Sequence, residues 1–534
     1  MIPLVGNRRR AWLLAAGVAV LALGQFGGAF AMFTDSATAG PGSFQTGTLP
    51  TPGGLALSNG GCSGGAGQTN VTSTWTGSST LDASGDYLVG GYDVLRSASS
   101  SGPYSSAGTV SGNPPATQYT DTSPSGATTP LVYVSAGSGA KSAQSINSST
   151  YGAATVTLTG AVGDEPNALQ VTPDGTKLIV AEGAAHQVQI VSTATGTVIS
   201  TVSIPTVGGT QSKPTAVAVS PRGTTAWIVD AANALVYPLS LATSTLGTAI
   251  SVGTQGDPTA MVVTPNGAQV FVADYGSHQV SAISTSTDGV INIGVGGSTG
   301  TPIALAVTPN SSHVYVADQG NSQIDDITTS SDTVSTTIAV PSFADGYVAG
   351  GGDPNILAVT PDGGKLYVAS FGGGSVEDIT TSNDAVATTF ALPPGGVLGP
   401  AAPNALALTP NGCQLFVNDY DNNKVDLINV STDTLAAATP AVGQTGDPIG
   451  MAATPNGAAV YVANYYDSTV SVISTSSNTV VGTPGTGSGG PSPYAIAIAP
   501  SAYYYEVAGT HGGWTSAPSS PAMYVLGWNV GGWQ

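Results

Sequence analysis

Charge and straight-chain helix formers are scarce in this sequence. Only 7% of the 534 residues are charged, and the whole chain contains just four Glu and five Lys. Glycine (73) and proline (36) are abundant instead, together with Ser, Thr and Val. Because few residues favour helices and many favour strands and turns, a mostly helical protein is excluded. The composition predicts an all-β fold.

Clusters of positive charge are missing after residue 10. Ten Lys and Arg stand against 30 Asp and Glu, which gives a formal net charge of −20. Nucleic-acid binding releases counterions through Lys/Arg clusters, and anionic lipid surfaces attract basic patches. We therefore expect no nucleic-acid partner, and contact with a membrane only through the apolar residues 11–33 if these are retained.

Cysteine is nearly absent, since the chain has only Cys62 and Cys413. A bridge between them is possible outside the cell, but two unpaired thiols buried in strands are the preferred interpretation. The sequence also lacks the H-E-x-x-H, G-x-S-x-G, Walker A and C-x-x-C motifs. No catalytic residue, metal ligand or cofactor is therefore assigned.

The N-terminus has the charge pattern of an export signal. Three Arg at positions 8–10 precede the apolar run, and Ala29-Phe30-Ala31 is a small-x-small cleavage site. Residues 1–31 are therefore predicted to be a signal peptide, or a membrane anchor if the run is retained, because it is long enough to span a bilayer. Residues 32–49 are predicted to be an exposed N-terminal segment.

The residues around this site carry a short resemblance. Residues 28–37 (GAFAMFTDSA) and 44–49 (FQTGTL) resemble the start of camelysin-type and biofilm-fibre secreted proteins. The resemblance implies an extracellular or cell-surface location in a bacterium, with membrane anchoring if the N-terminal segment is retained.

Residues 50–136 alternate apolar and polar positions in short segments separated by Gly/Ser/Pro turns, which predicts a β-sandwich with Trp75 facing inward. The Gly-Tyr-x-Val-x-Arg segment beginning at Gly91 and the segment 131–136 continue the pattern. This part resembles a fibronectin type III domain, although the family's corner tyrosine is missing near Pro130. The resemblance implies a spacer or adhesive module. Residues 137–153 are Gly/Ser-rich and are predicted to be a linker.

A repeat fills residues 154–534. Its mark is a Thr/Ser-Pro-Asp/Asn-Gly turn between two apolar strands, followed by two further strands. Four short strands per period of about 45 residues are typical of a β-propeller blade, and such sheets must stack because one alone cannot bury both faces. The turn prolines are at positions 173, 221, 265, 309, 361, 410 and 455, with a degenerate copy at 500.

Strand accounting favours eight blades, with seven and a frayed end as the alternative. The eighth blade is predicted to take its first, second and third strands from residues 494–498, 503–507 and 522–528. Its fourth strand is predicted at residues 154–159, so that pairing the two chain ends closes the ring and removes an exposed edge.

The second strand of the repeat, as in Val314-Tyr315-Val316-Ala317-Asp318, resembles the YVTN β-propeller repeat family over residues 160–500. That family includes surface-layer, cell-surface and exported proteins. Related propellers include lactonases and quinoprotein-like enzymes, so the resemblance implies a location better than a reaction.

Carboxylates and aromatic residues recur in the loops between second and third strands and between blades, which lie on the same face of a propeller. Carboxylates bind hard cations and aromatic rings stack on sugars, so this face is a candidate binding surface. Alternatively each Asp stabilises its own turn, and recurrence in every blade favours this reading. The candidate residues are Asp164, Asp257, Asp274, Tyr275, Asp318, Asp353, Asp419, Tyr420, Asp447, Tyr465 and Tyr466.

The leading hypothesis is an exported binding or scaffold protein whose loop face engages a protein, glycan or envelope partner. The alternative is a propeller hydrolase or lactonase with a divalent cation at the channel mouth. A lattice-forming surface-layer protein is a third. His186 and His278 open the third strands of two blades and are expected to be solvated loop residues.

Overall fold

We analysed a computed structural model of the chain, which describes most of the repeat region and parts of the sequence on either side of it. The described residues are 53–59, 71–76, 91–97, 105–111, 117–121, 131–136, 142–158, 166–253, 258–340, 356–394, 401–436, 440–443, 448–486, 493–499, 501–511, 514–515 and 522–526. The predicted N-terminal segments, residues 1–31 and 32–49, lie outside them. Within the described part, no helix is long and apolar enough to cross a membrane.

Eight sheets of antiparallel strands form the blades of a propeller. In each blade the first strand is innermost. First strands of successive blades lie side by side, and the eighth lies beside the first, so the ring is closed. The first strands of blades 1 to 8 are Pro166–Val171, Pro214–Val219, Pro258–Val263, Pro302–Val307, Leu357–Val359, Pro403–Leu408, Pro448–Ala453 and Pro493–Ile498.

The second strands of blades 1 to 8 are Lys177–Glu182, Thr225–Asp230, Gln269–Asp274, His313–Asp318, Lys365–Ser370, Gln414–Asp419, Ala459–Asn464 and Leu131–Ala136. The third strands are Gln187–Ser192, Leu235–Ser240, Gln279–Ser284, Gln323–Thr328, Ser375–Thr380, Lys424–Asn429, Thr469–Ser474 and Ser142–Asn147. The outer strands are Val198–Ser203, Thr245–Leu246 with Ile250–Ser251, Val290–Gly294, Thr333–Ala339, Ala385–Ala391, Thr434–Leu435, Thr479–Gly482 and Ala153–Thr157.

The Pro-Asp/Asn-Gly turns between first and second strands define one face of the propeller, which we call the turn face. In blade 1, the Thr172 hydroxyl donates to the Asp174 carboxylate (2.6 Å), and Gly175 has a φ of 69°. In blade 2, Gly223 (φ 67°) lies so close to Pro173 of blade 1 that an added Cβ would meet its ring at 3.4 Å. The signature therefore shapes each hairpin and also brings successive turns into contact.

The hydrophobic core lies between the blades, because each cluster of buried apolar side chains draws on two or more successive sheets. One such cluster joins Tyr133 and Ala143 of blade 8 to Leu169 and Leu178 of blade 1, which closes the ring. The eight-bladed prediction is confirmed.

Ion pairs near the turn face also connect strands within and between blades. Lys365 of blade 5 contacts Asp378 in its own sheet (2.8 Å) and Asp433 in a turn of blade 6. In blade 4 the same position is His313, which contacts Asp326 (2.9 Å). These side chains connect the start of a second strand to the third strand of its own blade and, in blade 5, to the following blade.

Blade 8 is assembled from both sides of the repeat, in a different way from that predicted. The predicted fourth strand is present as Ala153–Thr157. Its second and third strands, however, are Leu131–Ala136 and Ser142–Asn147, which pair with each other and with the first strand Pro493–Ile498. Residues 131–136 are therefore a blade strand instead of a sandwich strand, and residues 137–153 contain the third strand of blade 8 and the first residue of its fourth strand instead of a linker.

The segments predicted as the eighth second and third strands pair elsewhere. Ser501–His511 pairs along its length with Gly91–Ser97, and Ala522–Leu526 pairs with Ser501–His511. The predicted domain boundaries at residues 136 and 153 therefore differ from the observed pairing. In sequence, the propeller strands 131–498 lie between two groups of flanking strands, and Gly91–Ser97 of the first group pairs with Ser501–His511 of the second. The physical reason is that Ser501–His511 is paired with Gly91–Ser97, so Pro493–Ile498 takes Leu131–Ala136 as its second strand.

Two small sheets use these flanking strands. One contains Gly53–Asn59, Val71–Thr76 and Gln118–Asp121. The other contains Gly91–Ser97, Ser105–Ser111, Ser501–His511, Trp514–Thr515 and Ala522–Leu526. Trp75 of the first sheet meets Tyr92 of the second edge to face, with ring centroids 5.2 Å apart. Both side chains are buried, so the inward orientation predicted for Trp75 is confirmed.

Cys413 is disulfide-bonded. It lies in the turn between the first and second strands of blade 6, and the chain has one other cysteine, Cys62. The preferred interpretation of two unpaired thiols is therefore wrong. Cys62 itself lies outside the described residues.

Candidate functional site

The last residue of each second strand in blades 1 to 7 is polar and buried. These positions lie on the face opposite the turns, which we call the loop face because it carries the connections between second and third strands. The residues are Glu182, Asp230, Asp274, Asp318, Ser370, Asp419 and Asn464.

Three of these carboxylates stabilise their own blade in the same way. In blade 4, Asp318 Oδ1 accepts a hydrogen bond from the backbone N–H of Thr301 (2.7 Å), and its Oδ2 accepts one from Asn321 (2.7 Å). Asp230 and Asp419 each accept an equivalent pair of bonds. The carboxylate thus joins the segment before the first strand to the loop after the second strand. The geometry of these residues is that of turn stabilisation.

Asp274 occupies the same position in blade 3. Its Oδ1 accepts a hydrogen bond from the backbone N–H of Ser277 (3.2 Å). Gly253, with a φ of 73°, passes so close that any added Cβ would collide with the Asp274 carboxylate. A residue with a side chain is therefore excluded at Gly253 by both the backbone conformation and the space.

A second layer of polar side chains lies on the adjacent third strands, and sequence reasoning missed it. It is buried, and the strand periodicity assigns these positions to the apolar interior. The sequence feature that could have revealed this layer is the recurrence of a polar residue at the third position of the third strand. The residues are Gln189, Ser281, Asp325, Glu377, Asp426, Ser471 and Gln144.

Blades 4 and 6 each place two carboxylates together in this layer. In blade 6, the Lys424 ammonium contacts Asp426 Oδ1 (3.2 Å) and Asp419 Oδ2 (3.4 Å). Burial raises the pKa of Asp426 to about 6, with Lys424 opposing this effect and the Asp419 charge adding to it. Two negative charges in blade 6 thus have a cation between them.

Blade 4 has Gln323 at the position of that lysine. Its amide donates to Asp325 Oδ1 (2.8 Å), while Asp325 Oδ2 has no hydrogen-bond partner among the described residues. Burial, together with the nearby charge of Asp318, raises the pKa of Asp325 to about 7, and the bond from Gln323 only partly opposes this. Asp325 is therefore an acid that titrates near neutrality in the folded protein.

Blades 1 and 5 each hold one buried glutamate in this region, Glu182 at the end of the second strand of blade 1 and Glu377 in the third strand of blade 5. Glu377 accepts hydrogen bonds from Ser370 (2.8 Å) and Ser375 (2.6 Å), and burial raises its pKa despite these donors. Glu182 accepts bonds from Gln187 (2.6 Å) and Gln189 (2.7 Å). These carboxylates are enclosed by donors of their own blade.

The aromatic residues of the loop face are more exposed than its carboxylates. Tyr465 and Tyr466 of blade 7 meet edge to face with centroids 5.0 Å apart, and Tyr466 is 64% exposed. Phe371 of blade 5 and Tyr420 of blade 6 are half-buried neighbours at 6.4 Å. Tyr275, on blade 3, packs partly against the apolar cluster of blades 4 to 6. The structure therefore brings the aromatic candidates Tyr420, Tyr465 and Tyr466 to one side of the loop face, together with Phe371 of blade 5.

The two matching histidines are positioned by backbone contacts. His186 and His278 both have positive φ (55°), and the Nδ1 of each donates to a backbone carbonyl, that of Ser212 and that of Gly300. Both rings are half-buried. Each ring connects the loop after a second strand to the segment that leads into the next blade. The expectation that both histidines are solvated loop residues is therefore wrong.

The four inter-blade candidates, Asp164, Asp257, Asp353 and Asp447, lie outside the described residues. Among the residues that are described, no group of three or more His, Cys, Asp or Glu side chains could hold a metal ion. The binding role of the loop face, and the hydrolase alternative that requires a cation there, stay predictions.

Solved propeller structures resemble this chain at low sequence identity. The dihydro-heme d1 dehydrogenase NirN is similar with a TM-score of 0.55 at 12% identity, over 70% of this chain and 76% of its own. Hydrazine synthase of Kuenenia stuttgartiensis has a TM-score of 0.44 at 19% identity, over 58% of this chain and 95% of its own. Streptogramin B lyase has a TM-score of 0.42 at 15% identity, over 56% of this chain and 89% of its own.

No family model and no curated protein matches the chain. The likeness to NirN shows the fold alone, because the identity is low. The resemblances to YVTN repeats, fibronectin type III domains and camelysin-type proteins stay predictions.

Proposed function

We propose that the protein is an exported, non-catalytic binding protein whose loop face recognises neutral carbohydrate through the aromatic side chains of blades 5, 6 and 7. The observation that carries the proposal is Tyr466, which is 64% exposed and stands against Tyr465. An aromatic ring left this open offers a flat apolar face to the C–H groups of a sugar ring, and its hydroxyl offers a polar edge.

Geometry supports a shared surface. Phe371, Tyr420 and the pair Tyr465–Tyr466 follow the second strands of three successive blades, so they lie along one arc of the ring. The two ring contacts, at 6.4 Å and 5.0 Å, keep neighbouring rings at an angle instead of stacked on one another. The exposed ring of Tyr466 is therefore the first contact for a sugar unit, and the neighbouring rings extend the surface along the arc.

Charge favours a neutral ligand. The chain carries a net charge of −20, which repels anionic polymers. The described carboxylates of Asp230, Asp318 and Asp419 accept hydrogen bonds from their own blades. Their oxygens are therefore already occupied and do not favour a cationic ligand. Recognition therefore falls to the aromatic rings and neutral polar groups.

The remaining parts of the chain fit a role at the cell envelope. The N-terminal pattern supports export, with residues 1–31 removed as a signal or retained as an anchor. We propose that the two sheets flanking the propeller form a fibronectin type III-like sandwich that acts as a spacer. The YVTN-like second strands support a cell-surface or extracellular setting.

The proposal predicts that Tyr465→Ala/Tyr466→Ala lowers binding to polysaccharide about tenfold or more, since each lost stacking contact costs of the order of 1 kcal/mol. The measurement is retention of the purified protein on insoluble cellulose, chitin and β-1,3-glucan, which are neutral polysaccharides. For each polymer that retains the protein, titration with its soluble oligomers then gives the dissociation constant.

Two variants serve as controls. Tyr465→Phe/Tyr466→Phe keeps the ring faces and should keep most of the binding. Ile291→Ala removes an exposed apolar side chain from an outer strand of blade 3 and should change nothing. If the native protein is retained by none of the three polymers, or if the double alanine variant binds as well as the native protein, the proposal is wrong.

A further inference from the structure

Blades 4 and 6 share one polar arrangement and differ in it at one position. In both blades the last residue of the second strand pairs with the first residue of the third strand, and a buried aspartate follows two residues later. The three residues are Asp419, Lys424 and Asp426 in blade 6, and Asp318, Gln323 and Asp325 in blade 4. Blade 6 therefore has a cation at the position where blade 4 has a neutral amide.

The Lys424 ammonium shows what this arrangement accommodates. It lies 3.2 Å from Asp426 Oδ1 and 3.4 Å from Asp419 Oδ2, and it also donates to the backbone carbonyl of Pro393 (3.0 Å). Asp419 Oδ2 accepts a hydrogen bond from Asn422 at the same time (2.8 Å). A carboxylate oxygen that already accepts one bond therefore still faces a positive charge, because it has a second lone pair.

In blade 4 one carboxylate oxygen has no partner. Asp325 is completely buried, and its Oδ1 accepts a bond from Gln323 (2.8 Å), but its Oδ2 has no partner among the described residues. Asp426 and Asp378 also have one such oxygen, yet each carboxylate lies beside a lysine ammonium, at 3.2 Å and 2.8 Å. A buried carboxylate with neither a cation nor a second donor costs free energy. The unpartnered oxygen therefore indicates an occupant.

The surroundings of Asp325 suit a small ion. Asp325 lies opposite Val316 on the neighbouring strand, and Val316 belongs to the apolar cluster that includes Ala273 and Ala282 of blade 3. These side chains supply no charge to Asp325. Gln323, in contrast, is partly exposed, so the position that it occupies is reached from solvent.

The available ligands favour a monovalent cation over a divalent one. Ca²⁺ takes six to eight oxygen ligands. The described side chains here offer only two carboxylates and the amide of Gln323, whose oxygen takes the place of its nitrogen after a half-turn. Both oxygens of Asp318 already accept a hydrogen bond, from Thr301 and Asn321. An ion with the charge and size of the Lys424 ammonium fits this set.

We propose that blade 4 binds a monovalent cation of ammonium size, such as K⁺, at the position that Lys424 fills in blade 6. Asp325 Oδ2 is its principal ligand, the amide oxygen of Gln323 is the second, and the charge of Asp318 attracts it. The bound ion neutralises one of two buried charges between blades 3 and 4. The stability of the ring then depends on which cations surround the protein as well as on ionic strength.

Thermal unfolding of the full chain in two salts tests the site. KCl and tetramethylammonium chloride are compared at equal concentration and at pH 8, because the organic cation is too large to enter a buried position. The native protein is expected to melt about 2 °C or more higher in KCl. Equal melting temperatures in the two salts, or stabilisation by CaCl₂ without any by KCl, would overturn the proposal.

Exchanging residues between the blades separates the site from general effects of salt. Gln323→Lys gives blade 4 its own ammonium, so this variant should melt at the same temperature in both salts. Lys424→Gln gives blade 6 the side chains of blade 4, so the difference between the salts should about double. Gln211→Lys adds the same charge at an exposed position and should keep the native difference. If Gln323→Lys keeps the native difference, or if Lys424→Gln does not enlarge it, the proposal is wrong.

Discussion

Replacing Lys365 by methionine is expected to lower the free energy of unfolding by about 3 kcal/mol, because it leaves a buried carboxylate without its cation. Asp378 is almost completely buried and lies 2.8 Å from the Lys365 ammonium, while Asp433 of the next blade is partly exposed. Burial opposes the charged form of Lys365, but its bonds to Asp378 and Asp433 outweigh this and raise its pKa. Denaturant unfolding at pH 7 measures the loss.

The pH dependence of the Lys365→Met variant has a defined sign. Burial raises the pKa of Asp378, and Lys365 limits that rise. Without the lysine the pKa rises further, so the folded state loses stability as pH rises above the unfolded value of about 4. The deficit relative to the native protein should therefore be larger at pH 8 than at pH 5.

Two variants isolate the cause. Lys213→Met removes an exposed lysine and should leave stability within about 0.5 kcal/mol of the native value. Lys365→Met/Asp378→Asn removes both charges and should recover much of the loss. If Lys365→Met is as stable as the native protein, the contact between blades 5 and 6 contributes little to the free energy of unfolding.

Asp325→Asn is expected to stabilise the protein above neutral pH by up to about 4 kcal/mol, the equivalent of a shift in pKa from near 4 to about 7. The folded protein binds this proton more tightly than the unfolded chain does. Native stability therefore falls as pH rises from about 4 to about 7, and the variant, which carries no titrating group there, escapes this fall. The increase in the free energy of unfolding of Asp325→Asn over the native protein should be small at pH 4.5 and reach its full size near pH 8.

Asp288→Asn is the matched control, because Asp288 is exposed in a turn with positive φ, a conformation that Asn also adopts readily. Unfolding curves of the three proteins at pH 4.5, 6 and 8 give the comparison. Native and Asp325→Asn curves that stay parallel across this range would mean that Asp325 is ionised in the folded protein at all three values.

The ring of blades could be predicted because the turn chemistry repeats. Each Pro-Asp/Asn-Gly signature fixes a hairpin, and the apolar strands on either side mark the first and second strands directly. Blade 8 has only the degenerate copy at Pro500, because its first strand Pro493–Ile498 and its second strand Leu131–Ala136 are not consecutive in the chain. Leu131–Ala136 alternates like a sandwich strand, and nothing local distinguishes the two environments.

The candidate site was predictable to a smaller extent. Asp318 and Asp419 end their strands as the sequence indicates, but only the structure shows that their oxygens are occupied by the preceding segment and the following loop. Asp325 and Asp426 were missed because strand periodicity assigns their positions to an apolar interior. Their pairing across two strands depends on register, which sequence patterns alone do not set.

The way in which blade 8 is assembled also determines when the molecule can finish folding. Ala495 and Ser135, which are hydrogen-bonded in that blade, are 360 residues apart in the chain. Until the last part of the chain has been made, Leu131–Ala136 has no inner neighbour and presents an unpaired edge, the kind of surface on which aggregation begins. Contacts this distant in sequence also slow folding. The ring thus cannot close before Pro493–Ile498 has been made, and shortening the chain before residue 493 would leave seven complete blades around an open gap.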